Sequence, residues 1–198
     1  WMQPIRTGIF DLFTIGPGPS SSHTIGPMRA GYRFLQALRG LDREALAQAT
    51  GMTARLFGSL SATGRGHGTD RALVAGLLGR RPEEVDHAFL EELAMHPGQP
   101  RRLPLDGADL TISVDGVIFD AVEGHGHPCS NTLVLTLDGP DGPLLERTYH
   151  SVGGGSVVSP DEPEESAGDP LYPYADMDGL KARIQSTGLR LHRIILAN

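Results

Sequence analysis

Side chains capable of chemistry are concentrated between residues 16 and 27, in the order Ser20, Ser21, Ser22, His23, Thr24. Glycines and prolines bracket this run, and an apolar pattern with helical spacing begins directly after Pro27. Because serine and threonine favour helix N-caps and proline favours the first turn, we predict a loop that ends at a helix N-terminus. The unpaired N–H groups and the dipole there attract an anion such as a carboxylate, and a histidine can exchange a proton near neutral pH. The run therefore indicates a binding loop for a small acid.

A second histidine is framed by glycines in the run Gly64-Arg-Gly-His-Gly-Thr-Asp70. The pattern predicts a tight turn between a strand and a helix, with His67 preceding a helix cap formed by Thr69 and Asp70. Taken alone, the run is equally typical of a flexible turn with an exposed histidine. Two such junctions in one small domain indicate two candidates for proton transfer, His23 and His67.

Three further groups of polar residues lie near predicted strands. The run His125-Gly-His-Pro-Cys129 contains residue types that bind zinc, but the usual structural zinc spacings are absent, which favours a polar loop. Asn131 follows this loop, and its amide can hold a carboxylate or an amine, or can bond to nearby backbone. Ser151 precedes three glycines, a pattern typical of either a close backbone approach to a ligand or a bulge.

The periodicity predicts helices mainly in the first half of the chain and strands mainly in the second. Helices are predicted after Pro27, from Asp42 to Ala49, from Thr69 to Leu78, from Pro82 to Met95 and from Asp178 to Gln185. Strands are predicted over residues 52–60, 132–137, 144–150 and 156–158, with a hairpin at Asp115-Gly116. This order favours an α+β fold with an antiparallel sheet packed against helices.

The net charge of −7 is concentrated in one segment, because residues 159–180 carry seven acidic side chains and no basic one. Neither a nucleic-acid interface nor a basic membrane-binding face is therefore predicted. No apolar run is long enough for a membrane span and no signal-like start is present, so a cytoplasmic location is the default expectation. Cys129 is the only cysteine, which is too few for a disulfide or an iron–sulfur cluster.

The composition also divides the chain into segments. We predict a domain over residues 8–158, an acidic linker rich in proline and glutamate over 159–175, and a helical segment over 176–198. The apolar pattern from Leu189 stops at Asn198, the last residue. This abrupt end indicates a fragment of a longer protein.

Four spaced motifs together carry a family resemblance: Gly18-Pro-Ser-Ser-Ser-His-Thr-Ile-Gly-Pro27, Gly58-Ser-Leu-Ser-Ala-Thr-Gly64, Gly66-His-Gly-Thr-Asp70 and Ser151-Val-Gly-Gly-Gly155. They resemble the N-terminal β domain of the iron–sulfur L-serine dehydratases, also called L-serine ammonia-lyases or L-serine deaminases. The resemblance runs from Gly8 to Val158 and resumes at Tyr172-Pro-Tyr174 and over Leu189 to Asn198.

The resemblance implies a β-elimination that converts L-serine to pyruvate and ammonia with a [4Fe–4S] cluster. In that family the cluster cysteines belong to a C-terminal α domain, which would complete the active site, and the full-length protein would be a homodimer. An open iron would act as a Lewis acid on the serine hydroxyl while a base removes the Cα proton. The matching residues imply His67 and His23 as proton-transfer groups, with His67 favoured as the base. They imply substrate contacts by Ser21, Ser22, Thr24, Thr69, Asn131 and Ser151.

The sequence departs from the family pattern in two places. The family's His-Pro-Asn is here His127-Pro-Cys-Ser-Asn131, two residues longer, and position 156 is serine where the family often has an aromatic residue.

Two other functions are weighed against the lyase. The family's β domain also resembles the allosteric substrate-binding domain of some phosphoglycerate dehydrogenases, which implies repeated helix-plus-two-strand units. That likeness supplies the alternative of a serine-binding regulatory module without catalysis. A more remote alternative is a metal-binding protein that uses His125, His127 and Cys129.

Overall fold

The computed structural model describes residues 14–162 and 169–198. Within these ranges the chain forms two compact units, one over residues 15–162 and one that includes residues 169–198. The first unit carries the candidate site. Expectations that fall on residues 8–13 and 163–168 lie outside the described residues.

The helices of the first unit begin where polar side chains cap them. A π-helical turn, Ser21–Ile25, leads without a break into α1 (Gly26–Arg39), and Ser20 caps the turn by accepting a hydrogen bond from His23 N–H. Asp42 caps α2 (Arg43–Ala47) in the same way. The remaining helices are α3 (Ser59–His67), α4 (Thr69–Leu77) and α5 (His87–Met95).

The strands form one large and one small sheet. Their bounds are β1 (Gly51–Gly58), β2 (Arg101–Arg102), β3 (Thr111–Ile112), β4 (Val117–Phe119), β5 (Asn131–Gly139), β6 (Gly142–Gly153) and β7 (Ser156–Val158). The large sheet has the order β4-β1-β5-β6-β7, and β2 pairs with β3 separately. β4 runs parallel to β1, while all other neighbours are antiparallel. The α+β class is confirmed, with one parallel pair in a mainly antiparallel sheet.

One hydrophobic core joins the sheet to the helices. Side chains alternate along β5, so Leu133, Leu135 and Leu137 share one face, where they are fully buried. The same core contains Phe34 of α1 and Leu73 of α4. Burial of each leucine removes its apolar surface from water, which contributes about 1.5–3 kcal/mol per side chain.

The sequence predicts a loop as far as Pro27 and a tight turn over the glycine-rich run, and in both places the helix extends further than predicted. Residues 21–25 are already helical, because Thr24 N–H and Ile25 N–H bond to the carbonyl of Ser20. Residues 64–67 complete α3, since glycines without steric demand can continue a helix when tertiary packing favours it. Only Gly68 turns the chain, with φ +64° at the junction of α3 and α4.

Two other element predictions are also wrong. Asp115-Gly116 forms a 3₁₀ turn (Val114–Gly116) instead of a hairpin, because Ser113 accepts a hydrogen bond from Gly116 N–H. The strands on either side consequently pair elsewhere, β3 with β2 and β4 with β1. The helix expected from Pro82 begins at His87, where Asp86 caps it through Ala88 N–H.

The acidic segment is anchored at its start. Glu162 pairs with Arg33 and accepts a hydrogen bond from the Tyr149 hydroxyl at 2.6 Å, and Asp161 accepts one from Thr148 N–H at 2.7 Å. Burial and the neighbouring Glu162 raise the pKa of Tyr149, so its hydroxyl stays a donor. Residues 159–162 therefore pack against the domain.

The second unit contains α6 (Met177–Thr187) and α7 (Leu191–Ala197). Asp176 caps α6, and Gly188 ends it with φ +66°, so the helix predicted from Asp178 to Gln185 is present and slightly longer. Asn198 exchanges hydrogen bonds with the backbone N–H and carbonyl of Tyr172. Among the described residues, no helix combines the length and the apolar character needed to cross a membrane.

Candidate active site

The two candidate histidines lie side by side at one end of the large sheet. His23 comes from the π-helical turn and His67 from the last residue of α3. Their ring centroids are 4.9 Å apart, with an angle of 44° between the planes. Both side chains are half-buried. The structure thus brings together two groups that are 44 residues apart in the sequence.

Reciprocal hydrogen bonds hold this pair together. Thr24 Oγ1 donates to the carbonyl of His67 at 3.0 Å, and Thr69 Oγ1 donates to the carbonyl of His23 at 2.6 Å. Each threonine follows one histidine closely and binds the backbone of the other. Both threonine side chains are buried, so water does not compete for these bonds. We call this arrangement the threonine tie.

The protonation of the neutral His67 ring follows from its one backbone contact. Nδ1 lies 2.9 Å from the carbonyl oxygen of Thr63. A carbonyl can only accept, so Nδ1 carries the proton and donates it. The lone pair of the neutral ring is then on Nε2. An atom of this kind can accept a proton from a bound molecule.

Both nitrogens of His23 are engaged. Nε2 lies 3.1 Å from Ser59 Oγ and 3.3 Å from the Ser59 carbonyl, and Nδ1 lies 2.9 Å from Ser22 Oγ. Burial lowers the pKa of His23, the hydrogen bond to the Ser59 backbone raises it, and the neighbouring His67 lowers it. The net effect favours neutral His23, already paired on both sides.

Asn131 and Ser151 lie next to the π-helical turn. Ser151 Oγ donates to the carbonyl of Ser22 at 2.8 Å, and Asn131 Nδ2 donates to the carbonyl of Ser151 at 3.3 Å. Asn131 Oδ1 is buried and accepts no hydrogen bond from any described residue. A buried acceptor without a donor costs about 1–3 kcal/mol, which a bound donor group would recover.

The predicted site residues therefore converge. Contacts link His23, Ser22, Thr24, His67, Thr69, Asn131 and Ser151, and Ser21 lies on the same turn with an exposed side chain. Ser59 was not among the site residues predicted from the sequence. It belongs to the motif Gly58 to Gly64, but only the fold shows that it contacts His23.

A second group of histidines surrounds Phe57 near the loop that precedes β5. The ring centroid of Phe57 lies 4.8 Å from that of His127 and 6.0 Å from that of His125. His150 is buried nearby, and Thr132 Oγ1 lies 2.9 Å from its Nδ1. Burial and the neighbouring His127 lower the pKa of His150.

The geometry of this loop does not support the metal-binding alternative. Within residues 14–162 and 169–198, no group of three or more His, Cys, Asp or Glu side chains could hold a metal ion. The His125 and His127 rings stack on each other at 5.5 Å and do not converge on one point with Cys129.

Fold and site define an α+β domain in which two adjacent histidines, several hydroxyl groups and one buried amide form a small polar site. A family model for the serine dehydratase beta chain matches residues 8–162. The chain belongs to this family.

Curated relatives agree with the family match. The L-serine dehydratase of Haemophilus influenzae is 34% identical over 196 residues, which cover 96% of this chain and 42% of that protein. L-serine dehydratase 2 of Escherichia coli is 34% identical over 200 residues with the same coverage. The L-serine dehydratase of Mycobacterium tuberculosis is 43% identical over 160 residues, 76% of this chain and 32% of that protein. The chain spans about 42% of the length of the first two relatives.

Proposed function

We propose that this chain is the substrate-orienting and proton-accepting part of an L-serine ammonia-lyase, which forms pyruvate and ammonia. The observation that carries the proposal is the backbone hydrogen bond of His67, which leaves the lone pair of the neutral ring on Nε2. The names of the relatives support serine as the substrate. The rest of the full-length protein would complete the site.

Two features of the site suit a zwitterionic amino acid. The N–H groups of Ser21 and Ser22 stand at the start of the π-helical turn, where no intrahelical acceptor exists, and they favour the carboxylate. The unpaired Asn131 Oδ1 is an acceptor for the α-ammonium group. The two contacts together fix the position of Cα relative to His67.

His67 then accepts the proton from Cα at Nε2. The electron pair of the Cα–H bond forms a carbon–carbon double bond, and the Cβ–O bond breaks with release of hydroxide. The removed proton and the hydroxide together account for one water. The resulting aminoacrylate tautomerises to an imine, and its hydrolysis gives pyruvate and ammonia. A positioned base of this kind contributes about 10²–10⁴-fold to a rate.

The residues of this chain do not fit a [4Fe–4S] cluster. Such a cluster requires several cysteine thiolates, and Cys129 is the only cysteine in the sequence. We therefore propose that the cluster expected from the family resemblance is bound outside this chain. Iron and sulfide analysis tests this: the chain alone should contain neither, and a longer protein that includes the rest should contain both.

The catalytic proposal is tested in a chimaera. In it, this chain replaces the matching part of the Haemophilus influenzae L-serine dehydratase, and pyruvate formation is measured. We expect His67→Gln to lower kcat by about 10²–10⁴-fold. The matched control is His87→Gln on α5, whose side chain is 81% exposed, and it should leave turnover unchanged.

The same assay separates the lyase from the regulatory alternative. If His67→Gln changes the affinity for serine while kcat persists, the chain is a serine-binding regulatory module and not part of the catalytic site. Serine binding to the isolated chain is a separate measurement, made by NMR titration. We expect shifts at Ser22, His67 and Asn131.

The homodimer and the cytoplasmic location stay predictions from the sequence.

A further inference from the structure

Ser59 occupies a position that the backbone fixes tightly. The residue before it, Gly58, has φ +58°, and a Cβ there would lie 2.1 Å from the carbonyl oxygen of Ser130. Ser59 N–H donates to that same carbonyl at 2.7 Å. Only glycine fits this close approach, so the end of β1 and the start of α3 deliver Ser59 to one defined place.

Ser59 presents two acceptors to one ring nitrogen of His23. Its carbonyl can only accept, so Nε2 of neutral His23 carries the proton and shares it between Ser59 Oγ and the Ser59 carbonyl. The carbonyl also accepts from Thr63 Oγ1 at 3.0 Å, which leaves the hydroxyl as the shorter and less shared contact. The two contacts set both the tautomer and the rotation of the ring.

The tautomer in turn determines the role of Ser22. With the proton on Nε2, Nδ1 of His23 has the lone pair, so the Ser22 hydroxyl must donate to it across 2.9 Å. Ser22 Oγ then has two lone pairs left as acceptors, and the Ser20 hydroxyl, 3.5 Å away, can donate to one of them. The other can accept a hydrogen bond from an ammonium or hydroxyl group of a bound molecule.

We propose that Ser59 is a positioning residue that holds His23 as the Nε2-protonated tautomer and thereby makes Ser22 Oγ an acceptor for the ligand. The statement about His23 depends only on this structure. The statement about the ligand rests on the proposed function. No contact between Ser59 and the substrate is required.

The test reads the tautomer directly, by ¹⁵N NMR of the imidazole nitrogens of His23 in the 198-residue chain. In the unaltered chain, Nε2 should be protonated and Nδ1 should not. We expect Ser59→Ala to change the ratio of the two tautomers about fivefold, the size of effect expected when one neutral hydrogen bond is lost. Ser59→Thr keeps the hydroxyl and should preserve the ratio.

Ser61→Ala is the matched control. Ser61 lies on the same helix and donates to the carbonyl of Asp120 at 2.5 Å, away from His23. It should leave the His23 signals unchanged. An unaltered tautomer ratio in Ser59→Ala would overturn the proposal, because the carbonyl alone would then set the ring. An equal change in the His23 tautomer ratio in Ser59→Ala and Ser61→Ala would also overturn the proposal. Circular dichroism confirms that each variant is folded.

Serine affinity provides the second measurement. We expect Ser59→Ala to weaken serine binding to the chain about fivefold, and Ser59→Thr to restore it. If neither the chain nor the chimaera with the Haemophilus influenzae enzyme binds serine, the proposed function fails while the tautomer result stands. If serine binds but Ser59→Ala leaves both tautomer and affinity intact, the role of Ser59 is wrong and the proposed function stands.

Discussion

Breaking one half of the threonine tie should separate the two histidines. Thr69→Val keeps the size of the side chain but replaces a buried hydroxyl, which lies 2.6 Å from the carbonyl of His23, with a methyl group. The carbonyl loses its donor, which costs about 1–3 kcal/mol. A methyl group does not fit at 2.6 Å from an oxygen either, so the π-helical turn and α4 must move apart.

The complementary variant separates the hydrogen bond from packing. Thr69→Ser keeps the hydroxyl and deletes one buried methyl, which costs about 1 kcal/mol. Chemical denaturation followed by circular dichroism gives the free energy of unfolding of each variant. We expect the larger loss in Thr69→Val, together with weaker serine binding, while Thr69→Ser binds serine as the unaltered chain does.

Thr63→Val is the control for losing a threonine hydroxyl at an exposed site. Thr63 Oγ1 donates to the Ser59 carbonyl within the helix, and its side chain is exposed. Thr63→Val should lower the free energy of unfolding by no more than about 0.5 kcal/mol. If Thr69→Val lowers the free energy of unfolding no more than Thr63→Val does, the threonine tie has no special importance for stability. A double variant of Thr24 and Thr69 should also show coupling of about 0.5 kcal/mol or more, because both hydroxyls hold the same pair.

Two further predictions concern helix packing and pH. Gly76→Ala should lower the free energy of unfolding by about 1–3 kcal/mol, because its Cβ would lie 2.1 Å from the backbone oxygen of Met28. Gly66→Ala, in a helix with open space around it, should raise the free energy of unfolding by about 0.5–1 kcal/mol. If both variants lost similar amounts, the close backbone contact between α1 at Met28 and α4 at Gly76 would be contradicted. Burial lowers the pKa of His23 and of His150, so the unfolded chain takes up protons first as the pH falls through about 6.5. The free energy of unfolding should therefore be highest above that pH and decrease below it, levelling off under the lowered folded pKa values. A variant with glutamine at both positions should show a shallower dependence in denaturation curves, and an unchanged slope would refute this origin.

The elements that could be predicted from the sequence are those whose local signals agree with their packing. The helix predicted from Thr69 to Leu78 ends at Leu77, and the strands predicted over residues 132–137 and 144–150 form β5 and β6. Their apolar periodicity and their turn residues both favour the observed structure. The family motifs likewise identified the histidines and most of the hydroxyl side chains of the site.

The misses occur where tertiary contacts override local preference. Glycines at 64 and 66 indicate a turn, yet Gly64 is helical and buried, and a Cβ there would lie 3.0 Å from both Phe119 and Thr69 Oγ1. The glycine is needed for close packing and not for a bend. The contact between Ser59 and His23 also has no local signal, because it joins residues 36 positions apart, one in the π-helical turn and the other at the start of α3.

The proximity of His23 and His67 has a chemical consequence that neither residue has alone. Burial is the main reason why the pKa of His23 is lowered, and the His67 ring, with its centroid 4.9 Å away, lowers it further. Because hydroxyl and carbonyl groups occupy both nitrogens of His23, the proposed function assigns the proton taken from a ligand to Nε2 of His67. If His67 takes up that proton, a neutral His23 ring beside it exerts no charge repulsion on the positive His67 ring. Under the proposed function, the pair therefore takes up one proton at a time, with His67 as its acceptor.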